Sequence, residues 1–124
     1  KPLDRIEVIR IRPQISPDEP VDALIEDPWL SFDCNGKPQC TARFSDPEYS
    51  RGQRDSIYYV RAIQEPTPAI NGGQLRCEYD ENGQCIEVDP CYADSRSDYS
   101  DDCLAPVAER AWSSPIFVDF PQEN

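Results

Sequence analysis

Ser56-Ile57-Tyr58-Tyr59-Val60-Arg61-Ala62-Ile63-Gln64 decides the fold. In an extended chain Ile57, Tyr59 and Ile63 fall on one face and Tyr58, Val60 and Ala62 on the other, so both faces carry apolar or aromatic side chains. A strand covered on both faces belongs in the interior of a sheet, and its β-branched and aromatic residues suit that place. Outward from it, residues 6–11 read as a first strand. Residues 29–33 and 39–44 read as the arms of a hairpin turning at Asn35-Gly36, residues 74–79 and 84–89 as a second hairpin, and residues 112–120 as a closing strand.

Between these runs stand thirteen prolines, which make long helices improbable. Ser16-Pro17-Asp18-Glu19-Pro20 can cap one helical turn reaching Ile25, with Pro20 at its first position, and Asp27-Pro28 is expected to stop it. Asp46 to Asp55, Glu65-Pro66-Thr67-Pro68 and Asn71-Gly72-Gly73 read as connections, since proline cannot donate to a ladder. The expectation is one all-β domain over residues 1–124, an antiparallel β-sandwich-like fold with long loops and disulfide-stapled hairpins.

Leu, Ile, Val and Phe make up only about a fifth of the 124 residues, and the formal net charge is −12. That balance lies near the compositional edge of disorder, so something besides apolar burial must hold the chain. Six cysteines, Cys34, Cys40, Cys77, Cys85, Cys91 and Cys103, can supply it. The chain has no histidine, and no cysteine pair has the close spacing with which two thiolates grip one zinc, so disulfides are favoured over a metal site or free thiols. The turn residues between neighbours favour Cys34–Cys40, Cys77–Cys85 and Cys91–Cys103, each contributing roughly 2–3 kcal/mol through loop closure. Such density predicts a periplasmic or secreted protein. A chain without methionine that opens at Lys1-Pro2 is further expected to be a piece of a longer, processed polypeptide.

Charge narrows the partners. Twenty-four acids against twelve bases leave no basic stripe for phosphate backbones, and an anionic membrane surface is disfavoured for the same reason. Without histidine, neither a serine–histidine nor a cysteine–histidine mechanism can be assembled, and the commonest transition-metal ligand is missing. Paired carboxylates remain, but with so many acids chance proximity is easy. No catalytic, cofactor-binding or metal-binding residue is therefore assigned in this chain.

Three features invite a sharper reading. Arg61, in the middle of an apolar strand, needs a carboxylate, which Asp46, Glu65 or Glu109 can offer in a structural ion pair; alternatively it faces a neighbouring domain's site. The stretch 78–102 holds nine acids against the single base Arg96. It reads as a solvated acidic loop or as a calcium site built from Asp80, Asn82 and Asp89, or from Asp94, Asp98 and Asp101. Trp29, Tyr58, Tyr59 and Trp112 can stack a sugar, although their periodicity suits core packing better.

Asp46-Pro47-Glu48-Tyr49, Tyr58-Tyr59-Val60-Arg61, Glu65-Pro66-Thr67-Pro68 and Glu109-Arg110-Ala111-Trp112-Ser113-Ser114-Pro115-Ile116 follow in an order and spacing that resembles the C-terminal region of bacterial proteins of the domain-of-unknown-function family 3604. The opening Pro2-Leu3-Asp4-Arg5-Ile6-Glu7-Val8 looks like that region's first strand. The resemblance implies a parent whose N-terminal catalytic part is similar to the PHP metal-dependent phosphoesterases, with divalent metals held there and none of their ligands in this chain. Phe117-Val118 departs from the bulkier aromatics of many relatives, and residues 77–103 look like a subgroup insertion. The expected function is thus a non-catalytic C-terminal accessory domain, partnered by the catalytic domain of the same polypeptide, a metal-dependent hydrolase of unspecified substrate. The alternative is a self-standing extracellular binding module, using its acidic loops for calcium or a basic partner; a stand-alone hydrolase with paired carboxylates is a third.

Overall fold

The computed structural model of the chain describes residues 1–70, 72, 76–89 and 103–121. Among them nine strands run in the order β1 (Leu3–Ile11), β2 (Ile25–Lys37), β3 (Ser56–Gln64), β4 (Thr67–Ile70), β5 (Arg76–Tyr79), β6 (Cys85–Asp89), β7 (Leu104–Val107), β8 (Arg110–Trp112) and β9 (Ile116–Val118). A 3-10 turn at Val21–Ala23 and one helical turn, α1 (Tyr49–Gly52), are the helical pieces. Every strand pairing is antiparallel. The chain is all-β, as its punctuation by proline and glycine predicts. It divides into two compact units, Lys1–Glu65 with Glu109–Asn124, and Pro66–Ala108.

The first unit is a five-stranded sheet in the order β2-β1-β3-β8, with β9 also on β3. β3 occupies the residues expected of it and is interior, flanked by β1 on one side and by β8 and β9 on the other. β1 is interior as well, and Glu7, Val8, Ile9 and Arg10 form a continuous buried run along it. Val8 lies opposite Leu30 of β2 and Val60 of β3, while Ile9 lies opposite Tyr59. Both faces of the sheet centre are therefore covered, which explains the absence of simple apolar–polar alternation.

Where the strands differ from expectation, backbone chemistry gives the reason. Asn35-Gly36 does not turn a hairpin. β2 runs through it to Lys37, and the register shift between Leu3 and Arg5 makes the pair part of a bulge. Asn35 and Gly36 have φ of 53° and 67°, the positive values a type I′ turn needs, used here to bend one strand. Residues 39–44 are consequently irregular, tied back by the Cys34–Cys40 disulfide. Asp27-Pro28, joined by a cis peptide bond, lies in the second bulge of β2 rather than ending a helix, and Pro20 precedes a single 3-10 turn. The closing strand is split into β8 and β9 around Ser113-Ser114-Pro115, where the Ser113 amide still donates to the Val60 carbonyl at 2.9 Å.

The second unit contains two two-stranded ribbons, β4 with β7 and β5 with β6. Thr67-Pro68 does join a ladder, contrary to the reading of that stretch as a connection. Pro68 faces Pro106 across an isolated pair, where each proline can turn its donor-less nitrogen away from the partner. β5 and β6 form the expected hairpin, stapled by Cys77–Cys85. Within its turn, Asp80 Oδ1 accepts from the Asn82 and Gln84 amides, both at 2.9 Å. The acidic excursion between the last two cysteines lies outside the described residues, with Cys91, Asp94, Asp98 and Asp101; Cys103 is disulfide-bonded.

Candidate functional site

The register sets Arg10 of β1 beside Glu26 of β2 and Tyr58 of β3. Arg10 is only 2% exposed, and a guanidinium so placed must satisfy all of its donors within the protein. It does so completely. Nε donates to Glu26 Oε2 at 2.6 Å and Nη2 to Glu26 Oε1 at 3.0 Å, a bidentate fork. Nη1 reaches both oxygens of Asp46 at 2.9 Å, and Nη2 donates to Glu48 Oε2 at 2.7 Å. The guanidinium carbon sits 4.3 Å from the centre of the Trp29 ring, a cation–π contact.

A second tier holds the first in place. The Tyr58 hydroxyl donates to Asp46 Oδ2 at 2.6 Å, and the Glu48 amide to Asp46 Oδ1 at 2.9 Å. Trp29 meets Phe44 edge-on, at 5.8 Å between ring centres, and also packs on Tyr58. Residues 44–48, which have no strand of their own, are thus fastened to the sheet through a ring and two carboxylates. An open cleft of about 420 Å³ lies over the cluster, lined by Arg10, Arg12, Glu26, Glu48, Arg51 and Gly52.

Burial alone would lower the Arg10 pKa, but its hydrogen bonds to Glu26, Asp46 and Glu48 outweigh that, and the cation is held more firmly than in water. Burial likewise pushes the Asp46 carboxyl up; Tyr58 and Arg10 overcome that push and leave it below the usual range.

Arg61 belongs to a different cluster. It lies directly opposite Glu7 in the β1–β3 register, and its Nε donates to Glu7 Oε2 at 2.7 Å while Nη2 reaches Asp27 Oδ1 at 2.8 Å. Arg5 Nε donates to the other Glu7 oxygen at 2.7 Å, and Arg5 Nη1 pairs with Asp4. Burial opposes ionisation of Glu7, yet bonds from Arg5 and Arg61 hold its pKa below the ordinary value. The structural role expected of Arg61 therefore has other partners than Asp46, Glu65 and Glu109. Asp46 serves Arg10 on the opposite face, three residues out of phase along β3. Glu109 pairs with Lys1 at 3.2 Å, and the Glu65 carboxylate crowds Gly36, 2.8 Å from where a Cβ would stand.

Sequence reasoning missed Arg10 and Glu7. Inside Ile6-Glu7-Val8-Ile9-Arg10-Ile11 a charged residue reads as solvent-facing. The available signal was Asp46-Pro47-Glu48, two acids held on a proline-fixed turn and in need of a cation. Of the aromatics, Trp29 and Tyr58 stack on the Arg10 cluster, whereas Trp112 is 60% exposed, against the core place its periodicity suggests. Asp80 and Asn82 form the β5–β6 turn; among the described residues no group of three or more histidines, cysteines or acids is arranged to hold a metal ion.

The fold and these clusters define an antiparallel β-structure whose buried charges, among the described residues, are all ion-paired. Residues 14–119 match the family described as protein of unknown function (DUF3604), and the chain belongs to that family. The match takes in four of the five resembling stretches, of which Asp46-Pro47-Glu48-Tyr49 and Tyr58-Tyr59-Val60-Arg61 supply Asp46, Glu48 and Tyr58 to the Arg10 cluster and Arg61 to the Glu7 cluster; the opening stretch at residues 2–8 and Arg10 lie outside it. No curated protein and no solved structure matches the chain.

Proposed function

We propose that the chain is a non-catalytic accessory domain of an exported polypeptide, and that the chemistry of that polypeptide, PHP-type metal-dependent hydrolysis, is housed N-terminal to it. The observation that carries this reading is the saturation of the Arg10 cluster. A general acid or base must be free to exchange a proton with substrate, whereas Asp46 and Glu26 are committed to a buried guanidinium that uses every donor it has. Glu7 is committed in the same way to Arg5 and Arg61. Such clusters fix strands and loops in register; they do not turn over substrate.

The Cys34–Cys40 and Cys77–Cys85 disulfides support a periplasmic or secreted location, because bridges of this kind persist in oxidising compartments. Among the described residues no helix is long and apolar enough to cross a membrane.

The test is hydrolysis of phosphomonoester and phosphodiester model substrates with added manganese or zinc. The 124-residue chain is expected to show none, and the longer polypeptide encoded by the gene is expected to show it. Turnover by the chain itself, or an upstream reading frame without clustered histidines and carboxylates, would overturn the reading.

A further inference from the structure

The β5–β6 ribbon has little besides its disulfide to hold it. Among the described residues it pairs with no other strand, and its apolar side chains stay in water: Tyr79 is 64% exposed, Ile86 66%, and Val88 is exposed as well. Glu78 stands directly opposite Glu87 in the register, a like-charge pair that opposes the ladder. An isolated two-stranded hairpin is marginal in water at best. What remains is the turn and the bridge. The Gly83 amide donates to the Asp80 carbonyl at 3.0 Å, beside the two amides that Asp80 Oδ1 accepts from, and Cys77–Cys85 closes the loop around them.

The Cys34–Cys40 and Cys77–Cys85 bridges differ in access. Cys34 is only 2% exposed, in a strand laddered to β1 along most of its length, and Cys40 is half-buried. Cys85 is exposed and Cys77 half-buried, on a ribbon with no covering layer of apolar contacts. A disulfide opens when a thiolate reaches one of its sulfurs, so the exposed bridge is the labile one.

We propose that Cys77–Cys85 is a site of thiol–disulfide exchange, and that its opening unfolds residues 77–88 while the first unit stays folded. The incoming thiolate attacks Cys85 Sγ, forms a mixed disulfide there, and expels Cys77 as a thiolate that takes a proton from water. A second thiol of the reductant attacks the reductant's own sulfur in that mixed disulfide and releases Cys85. The protein gains two thiols, and the reductant leaves as a disulfide. Charge selects the partner. Five acids against one base lie between residues 76 and 89, so the site favours a neutral or cationic thiol over an anionic one. The site belongs to the chain itself and does not depend on the accessory-domain reading.

Cysteamine, a cationic thiol, and glutathione, an anionic one, are the probes. Each is added to the oxidised 124-residue chain at equal thiolate concentration, with alkylation and peptide mapping at intervals. Cys77 and Cys85 are expected to become alkylated at least about tenfold sooner than Cys34 and Cys40. Cysteamine is expected to act faster than glutathione, and the gap to close in high salt. Amide hydrogen exchange over residues 77–88 is expected to rise once the bridge opens, while exchange in β1 stays unchanged. Cys77→Ser with Cys85→Ser is expected to show the same fast exchange with no thiol added, the β1 amides reporting that the sheet remains folded. Opening of Cys34–Cys40 first, or at the same rate, would overturn the exchange site. Amide protection that persists in residues 77–88 after the bridge is open would overturn the coupled unfolding, and a faster reaction with glutathione at low salt would overturn the charge selection.

Discussion

Arg10 illustrates how one residue can organise a chain poor in apolar side chains. Its guanidinium joins β1, β2 and residues 46–48, segments far apart in sequence, and its flat face rests on Trp29. Removing it leaves Asp46 buried without its guanidinium partner, and Glu26 and Glu48 with only Arg12, at 3.3 and 4.0 Å. Arg10→Met is expected to destabilise the fold by about 3–5 kcal/mol, the usual cost of stranding a buried charge, read as a lowered urea midpoint. Arg10→Lys should recover little of this, because a single ammonium cannot present a planar fork to Glu26 while also reaching Asp46 and Glu48. If Arg10→Lys matched the parent chain, the five-bond geometry would not be what holds these strands. Gly36 is a smaller case: its φ is +67° and its missing Cβ would stand 2.8 Å from Glu65 Oε1. Gly36→Ala is expected to cost about 1 kcal/mol or more, from positive φ and from displacing that carboxylate.

Among the elements, β3 and the β5–β6 hairpin were legible in the sequence and β2 was not. β3 could be read because six apolar or aromatic residues run from Ile57 to Ile63, interrupted only by Arg61. The β5–β6 turn could be read because Asp80, Asn82 and Gly83 carry their own local bonding. Asn35-Gly36 has the same local signature, yet there the strand bends and runs on to Lys37. What separates a hairpin from a bulge there is the long ladder β2 makes with β1, a tertiary fact with no local mark. The Cys34–Cys40 pairing survived that misreading, because bringing the two cysteines together needs only a reversal somewhere in the six-residue separation. Its contribution differs from a hairpin staple: it anchors the irregular segment that carries Phe44 and Asp46 to the sheet. Cys34→Ser with Cys40→Ser is expected to cost about 2 kcal/mol of loop-closure entropy. Tryptophan fluorescence should shift as well, since Phe44 packs on Trp29. A loss of stability without any change around Trp29 would confine the bridge to its entropic role.

For the molecule as a whole, the balance of charge decides how it responds to acid. A chain of net charge −12 repels itself at neutral pH, and simple titration of exposed acids would relieve that repulsion as pH falls. Asp46 and Glu7 act in the opposite direction. Burial pushes both pKa values up, but Tyr58 and Arg10 at Asp46, and Arg5 and Arg61 at Glu7, hold them below their ordinary values. A carboxylate whose folded pKa is depressed binds fewer protons folded than unfolded. Its stabilisation is complete above the unfolded value, near pH 4, and is lost as pH falls through the folded one. The two tendencies separate in pH. Stability is expected to hold or rise slightly from pH 7 to about pH 5, then fall steeply below about pH 4 as protons reach the two clusters. Glu7→Gln should be less stable at pH 7, and the acid slope should flatten, because one of the two linked carboxylates no longer takes up a proton. Urea midpoints at pH 7, 5, 4 and 3 for both proteins test this. Parallel curves would show that the sheet is not held by its internal ion pairs, and apolar burial with the disulfides would then have to account for the fold alone.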